Sequence, residues 1–449
     1  MPLQKIISKL RNKHFLALVG NVVISGFSVL TIALLFRVLT KSDIGTWFFF
    51  VTILSLSDAI RGGFLSTATV KYYAGTTPER GAEVLGSVWY LAFALTGFMC
   101  LINAGFFLAI NFITNAQLVV VVKWFGLTFF SSLFYSVTFW ILMAEENYLK
   151  ILWMSLVNSG SMILIILILA FLKMATLHNV LLVNFLTNCL TSLFAIFFGY
   201  AKIKTFFSRT KESIKEIANF GKYSLGSNIS SNLLSSINIF VITFMLGPAV
   251  LAIYNLPLRL MEIVEIPLRS FVGTGMSAMA TAYNTNNMYH LTFVSKKYAG
   301  MLTIAFIPII LVAFLSADIA VGLLGGGKYA GTEAANIFRL MMFCSILYPI
   351  DRFNGVTLDI LQQQKANFYK VLVMIAANIP IAFTGIFIFR NIWGVAIAVP
   401  FTLLAGIIFG YYHLRKHMQY SFGEIIKTGY IEMKLLIQKT LSKNKIAKN

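Results

Sequence analysis

The chain predicts an all-α polytopic membrane protein, with about twelve transmembrane helices in two pseudo-symmetric six-helix bundles around a central lumen. Three observations carry that prediction. Of 449 residues, 58% are hydrophobic and only 12% charged, and the mean hydropathy is +0.81. A soluble domain could not bury that much apolar surface. Apolar runs of bilayer-crossing length recur along the whole chain, and the two halves of the chain resemble each other.

Hydropathy and turn residues place the first six spans near 15–39, 43–70, 84–110, 117–143, 148–172 and 178–201. The next six fall near 220–246, 249–282, 293–315, 332–357, 367–389 and 392–413. The basic start, MPLQKIISKLRNKH, precedes an apolar run from Phe15 to Leu39. At 1.5 Å per residue that run reaches roughly 37 Å, longer than the apolar core of a secretory signal, so a retained first span is expected. The first and second spans meet at LTKSD, and the seventh and eighth at LGPAV, both too short for anything but a tight outer turn.

The net charge of +20 would suggest nucleic acid in a soluble protein. Here the cations lie between apolar runs. With both termini cytoplasmic, 26 lysines and arginines fall inside and five outside, which is the positive-inside bias. They orient spans and meet anionic lipid, and no nucleic-acid partner is expected. Cys100, Cys189 and Cys344 sit apart in apolar runs and form no metal or disulfide pattern.

The expected organisation is an N-terminal six-helix half over 1–201, a basic cytoplasmic linker over 202–219, a C-terminal half over 220–413, and a basic amphipathic tail over 414–449. An offset of 207 lays Asn21, Leu39, Trp47 and Asp58 on Asn228, Leu246, Tyr254 and Glu265. An offset of 220 lays Tyr148, Lys150 and Asn158 on Phe368, Lys370 and Asn378. Each half has an even number of spans, so the repeat is parallel, about an axis along the membrane normal. In the tail, Ile426, Tyr430, Met433, Ile437 and Leu441 share one face, as in a helix lying on the inner leaflet.

The residues that point to function lie within spans. YNLPLRLMEIVEIPLRSFVGTG carries Arg259, Glu262, Glu265 and Arg269 at spacings of three, three and four, on one stripe of the eighth helix. A charge at mid-depth costs about 2.5–3.5 kcal/mol on insertion scales, so the stripe must face water or pair with itself. Two readings stay open: two salt bridges that lock helices, or a hydrated lumen. Pro257 and Pro267 would loosen the helix around the stripe. The second span holds its own pair, Asp58 and Arg61, followed by Gly62 and Gly63. Asn21 and Asn228 stand at equivalent positions of the first and seventh spans, as lumen lining or as interhelical hydrogen-bond partners.

No catalytic set, metal cluster or cofactor motif emerges. GLLGGGK lacks the spacing of a phosphate-binding loop, and no loop is long enough for a catalytic domain. A transporter driven by an ion gradient, the membrane potential or the substrate gradient is expected.

FRVLTKSDIGTWFFFVTILSLSD, LLGGGKYAGTEAANIFRLMMF and LQQQKANFYKVLVMIAANI, together with the twelve-span pattern, resemble the multidrug/oligosaccharidyl-lipid/polysaccharide superfamily. Within it they resemble the polysaccharide (Wzx-type) lipid-linked oligosaccharide flippases. The resemblance covers about residues 10–415. It implies a monomeric inner-membrane protein that moves an undecaprenyl-pyrophosphate-linked oligosaccharide to the outer leaflet for O-antigen, capsule or exopolysaccharide assembly. Such a flippase needs no cofactor, and its partners would be the phospholipid bilayer and the polysaccharide polymerase machinery. By that resemblance Arg61, Arg259 and Arg269 would line the lumen and bind substrate, and Asn21 and Asn228, from their equivalent places in the repeat, are expected to join them there. Asp58, Glu262 and Glu265 would pair with the arginines or carry H⁺ or Na⁺. Two alternatives remain. A multidrug cation/ion antiporter would place an acid in the first span, where Phe15–Leu39 has none. A membrane polysaccharide polymerase or ligase would need a larger outer loop.

Overall fold

The computed structural model describes residues 13–446 and, among them, contains helices and no strand. Two compact units divide the chain between Ile239 and Phe240.

Unit 1 begins with α1 (Lys13–Val38), α2 (Lys41–Tyr73), α3 (Pro78–Leu108) and α4 (Ala116–Ala144). The fifth span is α5 (Tyr148–Ser155), a π-helical turn (Leu156–Gly160) and α6 (Ser161–Phe171). Then come α7 (Leu177–Phe197), a 3₁₀ segment (Ile203–Ser208) and α8 (Lys211–Met245). The connections are short because polar side chains finish the orphan N–H groups of each helix start. Thr40, Thr77, Asn115, Asn147 and Thr176 each accept from a backbone N–H in the first turn that follows.

Unit 2 contains the end of α8 and α9 (Pro248–Asn284), joined at Gly247, whose φ of 85° needs a residue without Cβ. It continues with α10 (Met288–Leu315), α11 (Ala317–Gly325), α12 (Ala334–Cys344) and α13 (Tyr348–Ile360). It ends with α14 (Gln364–Phe389), α15 (Trp393–Leu414) and α16 (Phe422–Ile446).

Each expected span is helical. Among the described residues, eight helical stretches are long and apolar enough to cross a bilayer by length and composition. Of the other four, two are described only over their later apolar part and two differ for physical reasons. The described apolar part of α1 is Val23–Val38, and that of α8 is Ile229–Met245. Helix α9 carries four charges, and its helix runs unbroken through Pro257 and Pro267. The tenth span is split into α12, a 3₁₀ turn and α13, because Pro349 in the first turn of α13 has no N–H and crowds the preceding carbonyls.

The repeat is visible in the helix ends. Helices α2 and α9 start at Lys41 and Pro248, 207 residues apart, and α1 and α8 end at Val38 and Met245 with the same spacing.

Two segments differ from expectation. The stretch 202–219, expected as a basic linker, packs on unit 1: its second half forms the first turns of α8, where Ser213 and Ile217 are buried and Glu216 pairs with Arg80 of α3. A Cβ on Gly86 of α3 would stand 2.2 Å from the carbonyl oxygen of Thr205, so only glycine allows that approach. The tail behaves likewise in unit 2. Helix α16 docks on α10 through Ile425 and Gly429, and a Cβ on Gly300 would stand 2.0 Å from the Ile425 carbonyl. Lys296–Glu424 and Lys297–Glu432 flank this contact. Ile426 and Tyr430 stay exposed beside the docked face. The amphipathicity read as a lipid face is therefore shared between α10 and an open apolar flank.

Candidate functional site

In unit 2 the four charges of α9 form two unlike pairs. Arg259 Nη1 donates to Glu262 Oε1 at 2.6 Å. Arg269 Nη2 is 3.6 Å from Glu265 Oε2, too far for a hydrogen bond. Arg269 is 65% exposed and Glu265 only 18%. Among the described residues, the second guanidinium is thus held near a carboxylate by charge alone, and its donor fork is open. Arg352 of α13 is exposed.

In unit 1 the expected ligand Arg61 is placed otherwise. Its side chain is 1% exposed. Nη2 donates to Asp58 Oδ1 at 2.6 Å, to Ser132 Oγ at 3.0 Å and to Ser136 Oγ at 3.1 Å. Nε reaches the same carboxylate oxygen at 3.2 Å, and Nη1 reaches Thr96 Oγ1 at 3.2 Å. The guanidinium also lies 4.3 Å from the Phe129 ring centroid. Arg61 is therefore committed to α2, α3 and α4 and offers nothing to a ligand in this structure. The expectation of a lumen cation at Arg61 is corrected for that reason. What the cluster presents outward is Asp58, whose side chain is half exposed.

The side chains of Asn21 and Asn228, expected to line the lumen, lie outside the described residues, although both positions fall within helices.

One buried ion pair escaped the sequence reading. Lys370 of α14, which the repeat lays on Lys150, is 5% exposed. Its Nζ donates to Asp351 Oδ1 at 2.7 Å and to the Asp351 carbonyl at 3.0 Å. Gly406 of α15 makes room, since a Cβ there would meet Met374 and the Asp351 carboxylate. One turn along α13, Asn354 accepts from the Tyr420 hydroxyl at 3.0 Å. Asp351 in YPIDRF was a visible signal, as an acid inside an apolar span, but its partner stands nineteen residues away.

A family model described as a polysaccharide biosynthesis protein matches residues 34–334. Among curated proteins none matches the sequence. Solved structures do. The lipid II flippase MurJ in an inward-closed conformation is 12% identical with a TM-score of 0.71, over 95% of this chain and 92% of that one. An inward-facing multidrug resistance MATE family transporter of the MOP superfamily is 16% identical with a TM-score of 0.70, over 87% and 94%. A MOP superfamily transporter from Pyrococcus furiosus, described by a reversed polarity of its binding pocket, is 16% identical with a TM-score of 0.59, over 91% and 95%. At these identities the likeness is one of fold.

Proposed function

Since this chain belongs to the polysaccharide biosynthesis protein family, we propose that it flips a polyprenyl-pyrophosphate-linked oligosaccharide from the cytoplasmic to the outer leaflet of a bacterial inner membrane. The observation that carries this reading is Arg269, an open guanidinium on a membrane helix with its nearest carboxylate at 3.6 Å. A lipid pyrophosphate cannot take its charge through hydrocarbon, and needs cations along a polar surface while its prenyl chain stays in lipid. Arginine suits it, because the planar fork donates paired hydrogen bonds to phosphate oxygens. Arg259 holds a second guanidinium on the same helix, with Glu262 as its resting partner. The carboxylates keep the arginines solvated and oriented when the site is empty. Asp58 and Glu265 are the candidates for carrying H⁺ or Na⁺ in the return step, with the site exposed alternately to the two faces. Both termini are then cytoplasmic, and the chemistry is transport with no bond made or broken.

The test is deletion in the native host. Loss of the chain should strand lipid-linked glycan on the inner leaflet and leave sensitivity to cationic dyes unchanged. Unchanged surface glycan with dye hypersensitivity would replace this reading by a multidrug antiporter.

A further inference from the structure

A carboxamide cluster in unit 1 carries more polarity than helix packing needs. Asn158 sits in the π-helical turn of the fifth span, against Asn188 and Thr191 of α7, whose Asn184 and Thr187 share the same helix face. The hydrogen bonds settle which way each side chain points. The Thr191 hydroxyl gives its single proton to the Thr187 carbonyl at 2.7 Å, so its oxygen must accept. Asn158 therefore turns its Nδ2 to Thr191, at 3.1 Å, and to Asn188 Oδ1, at 3.4 Å. Asn188 in turn spends its Nδ2 on the carbonyl and the Oδ1 of Asn184, at 2.9 and 2.8 Å. What remains is one acceptor, Asn158 Oδ1, and one donor group, Asn184 Nδ2. Neither has a partner among the described residues, and neither is fully enclosed, each belonging to a half-buried residue.

Unit 2 shows what packing alone requires. There Asn378 of α14 donates to Thr402 Oγ1 at 3.0 Å, and Thr402 donates to the Ala398 carbonyl. That is the same Asn–Thr tie between the fifth and sixth spans, in an ordinary α-helix, with Asn378 2% exposed and its partnerless Oδ1 enclosed, where no ligand could reach it. Counting back from Thr402 as Asn188 and Asn184 stand from Thr191, unit 2 carries Val399 and Val395. Among the described residues, the two further asparagines and the π-helical turn, a feature frequent at functional sites, belong to unit 1 alone. Open carboxamide atoms at membrane depth are costly against lipid, so they face water or a ligand that can both donate and accept.

We propose that Asn158, Asn184 and Asn188 form a binding site for an uncharged, hydroxyl-rich ligand, the sugar residues of the lipid-linked glycan. A sugar hydroxyl donates to Asn158 Oδ1 while its oxygen accepts from Asn184 Nδ2, leaving the Asn158–Thr191 tie intact. The site rests on the flippase reading and adds to it the part that recognises glycan, separate from the arginines that meet pyrophosphate.

The experiment uses full-length protein in nanodiscs of phosphatidylethanolamine and phosphatidylglycerol. Two probes are titrated: bare undecaprenyl pyrophosphate, and the lipid-linked oligosaccharide that accumulates in a host lacking this chain. Asn184→Val and Asn188→Val install what unit 2 carries at those places, and Asn184→Ser serves if either fails to fold. Affinity for the glycosylated lipid should fall about tenfold, the scale of one or two lost hydrogen bonds, while affinity for the bare lipid stays within about twofold. Arg269→Ala should weaken both. Variants that bind both lipids as the parent does, or lose both equally, overturn the glycan site alone. A parent protein that binds neither lipid overturns the flippase reading and this site with it.

Discussion

Arg61 is buried while the Asp58 it holds at 2.6 Å is half exposed, so the cation of this pair is structural and the anion is the group on display. Arg61→Ala leaves Ser132, Ser136 and Thr96 without their shared donor, and should cost on the order of 3 kcal/mol. Arg61→Lys should restore little, since one ammonium cannot span three helices. Thermal melting in detergent reads both. An Arg61→Ala protein that melts like the parent yet exports no glycan would return this residue to the substrate.

Arg269 behaves in the opposite way. It is exposed and makes no hydrogen bond to Glu265, so Arg269→Ala should change stability by no more than about 0.5 kcal/mol. Glycan export should still fall at least about tenfold, and Arg269→Lys should also impair it, because the bidentate fork is gone. Protein level, melting and export are measured for Arg269→Ala and for Arg269→Ala/Glu265→Ala. Full rescue of export by the double change would show that only the ion pair matters, and that the guanidinium binds no phosphate.

Asp351 and Lys370 form a pair whose members cannot be removed singly. Lys370→Met should leave a buried carboxylate unpaired and cost about 3–5 kcal/mol. Lys370→Met/Asp351→Leu should recover most of that loss. Unfolding of the three proteins in a denaturant series decides it. A single variant as stable as the double would mean that water reaches the site.

The docked tail depends on glycine. Gly300→Leu or Gly429→Leu drives a side chain into the facing backbone, and should release α16 from α10. Hydrogen exchange over 422–436 should then rise by tenfold or more, while exchange in α14 and α15 stays slow. Lys296 beside Glu424 holds that carboxyl below the usual carboxylate range. For an acid with a lowered folded value, the stabilisation is complete above the unfolded pKa of about 4.3 and is lost as pH falls through the folded one. Docking should therefore be insensitive to pH from neutrality down to about 5, and weaken only in stronger acid. Release at pH 6 would point to a different group.

Single cysteines at Gly247 and Gly326, in a Cys-free background, should react with an impermeant thiol reagent from outside intact cells. Cysteines at Thr210 and Ser442 should react only after the membrane is opened. Outside labelling at Thr210 would reverse the orientation.

Much of the architecture is legible in the sequence because its causes are local. Hydropathy summed over twenty residues marks the spans, and Thr40, Thr77, Asn115, Asn147 and Thr176 mark where helices start. The 207-residue offset appears in the letters and again in the helix ends. The docked tail was legible only as an amphipathic pattern, since Gly300 and Gly429 are too far apart in sequence to suggest contact. Asn184 and Asn188 looked like ordinary polar residues of a span until the π-helical turn put Asn158 beside them.

By itself, then, the sequence determined an all-helical membrane chain, its turns, its repeat and the positions of its intramembrane charges. Arg61 and Arg269 look alike at that level, each an arginine three or four residues from an acid inside an apolar helix. Only tertiary structure separated them. Thr96, Ser132 and Ser136 arrive on two other helices to enclose Arg61, and nothing comparable closes over Arg269 among the described residues. The physical reason is range. Helix formation and membrane insertion depend on neighbours a few residues away, whereas the free energy of a charge depends on every dipole and solvent molecule within several ångströms, whichever part of the chain supplies them.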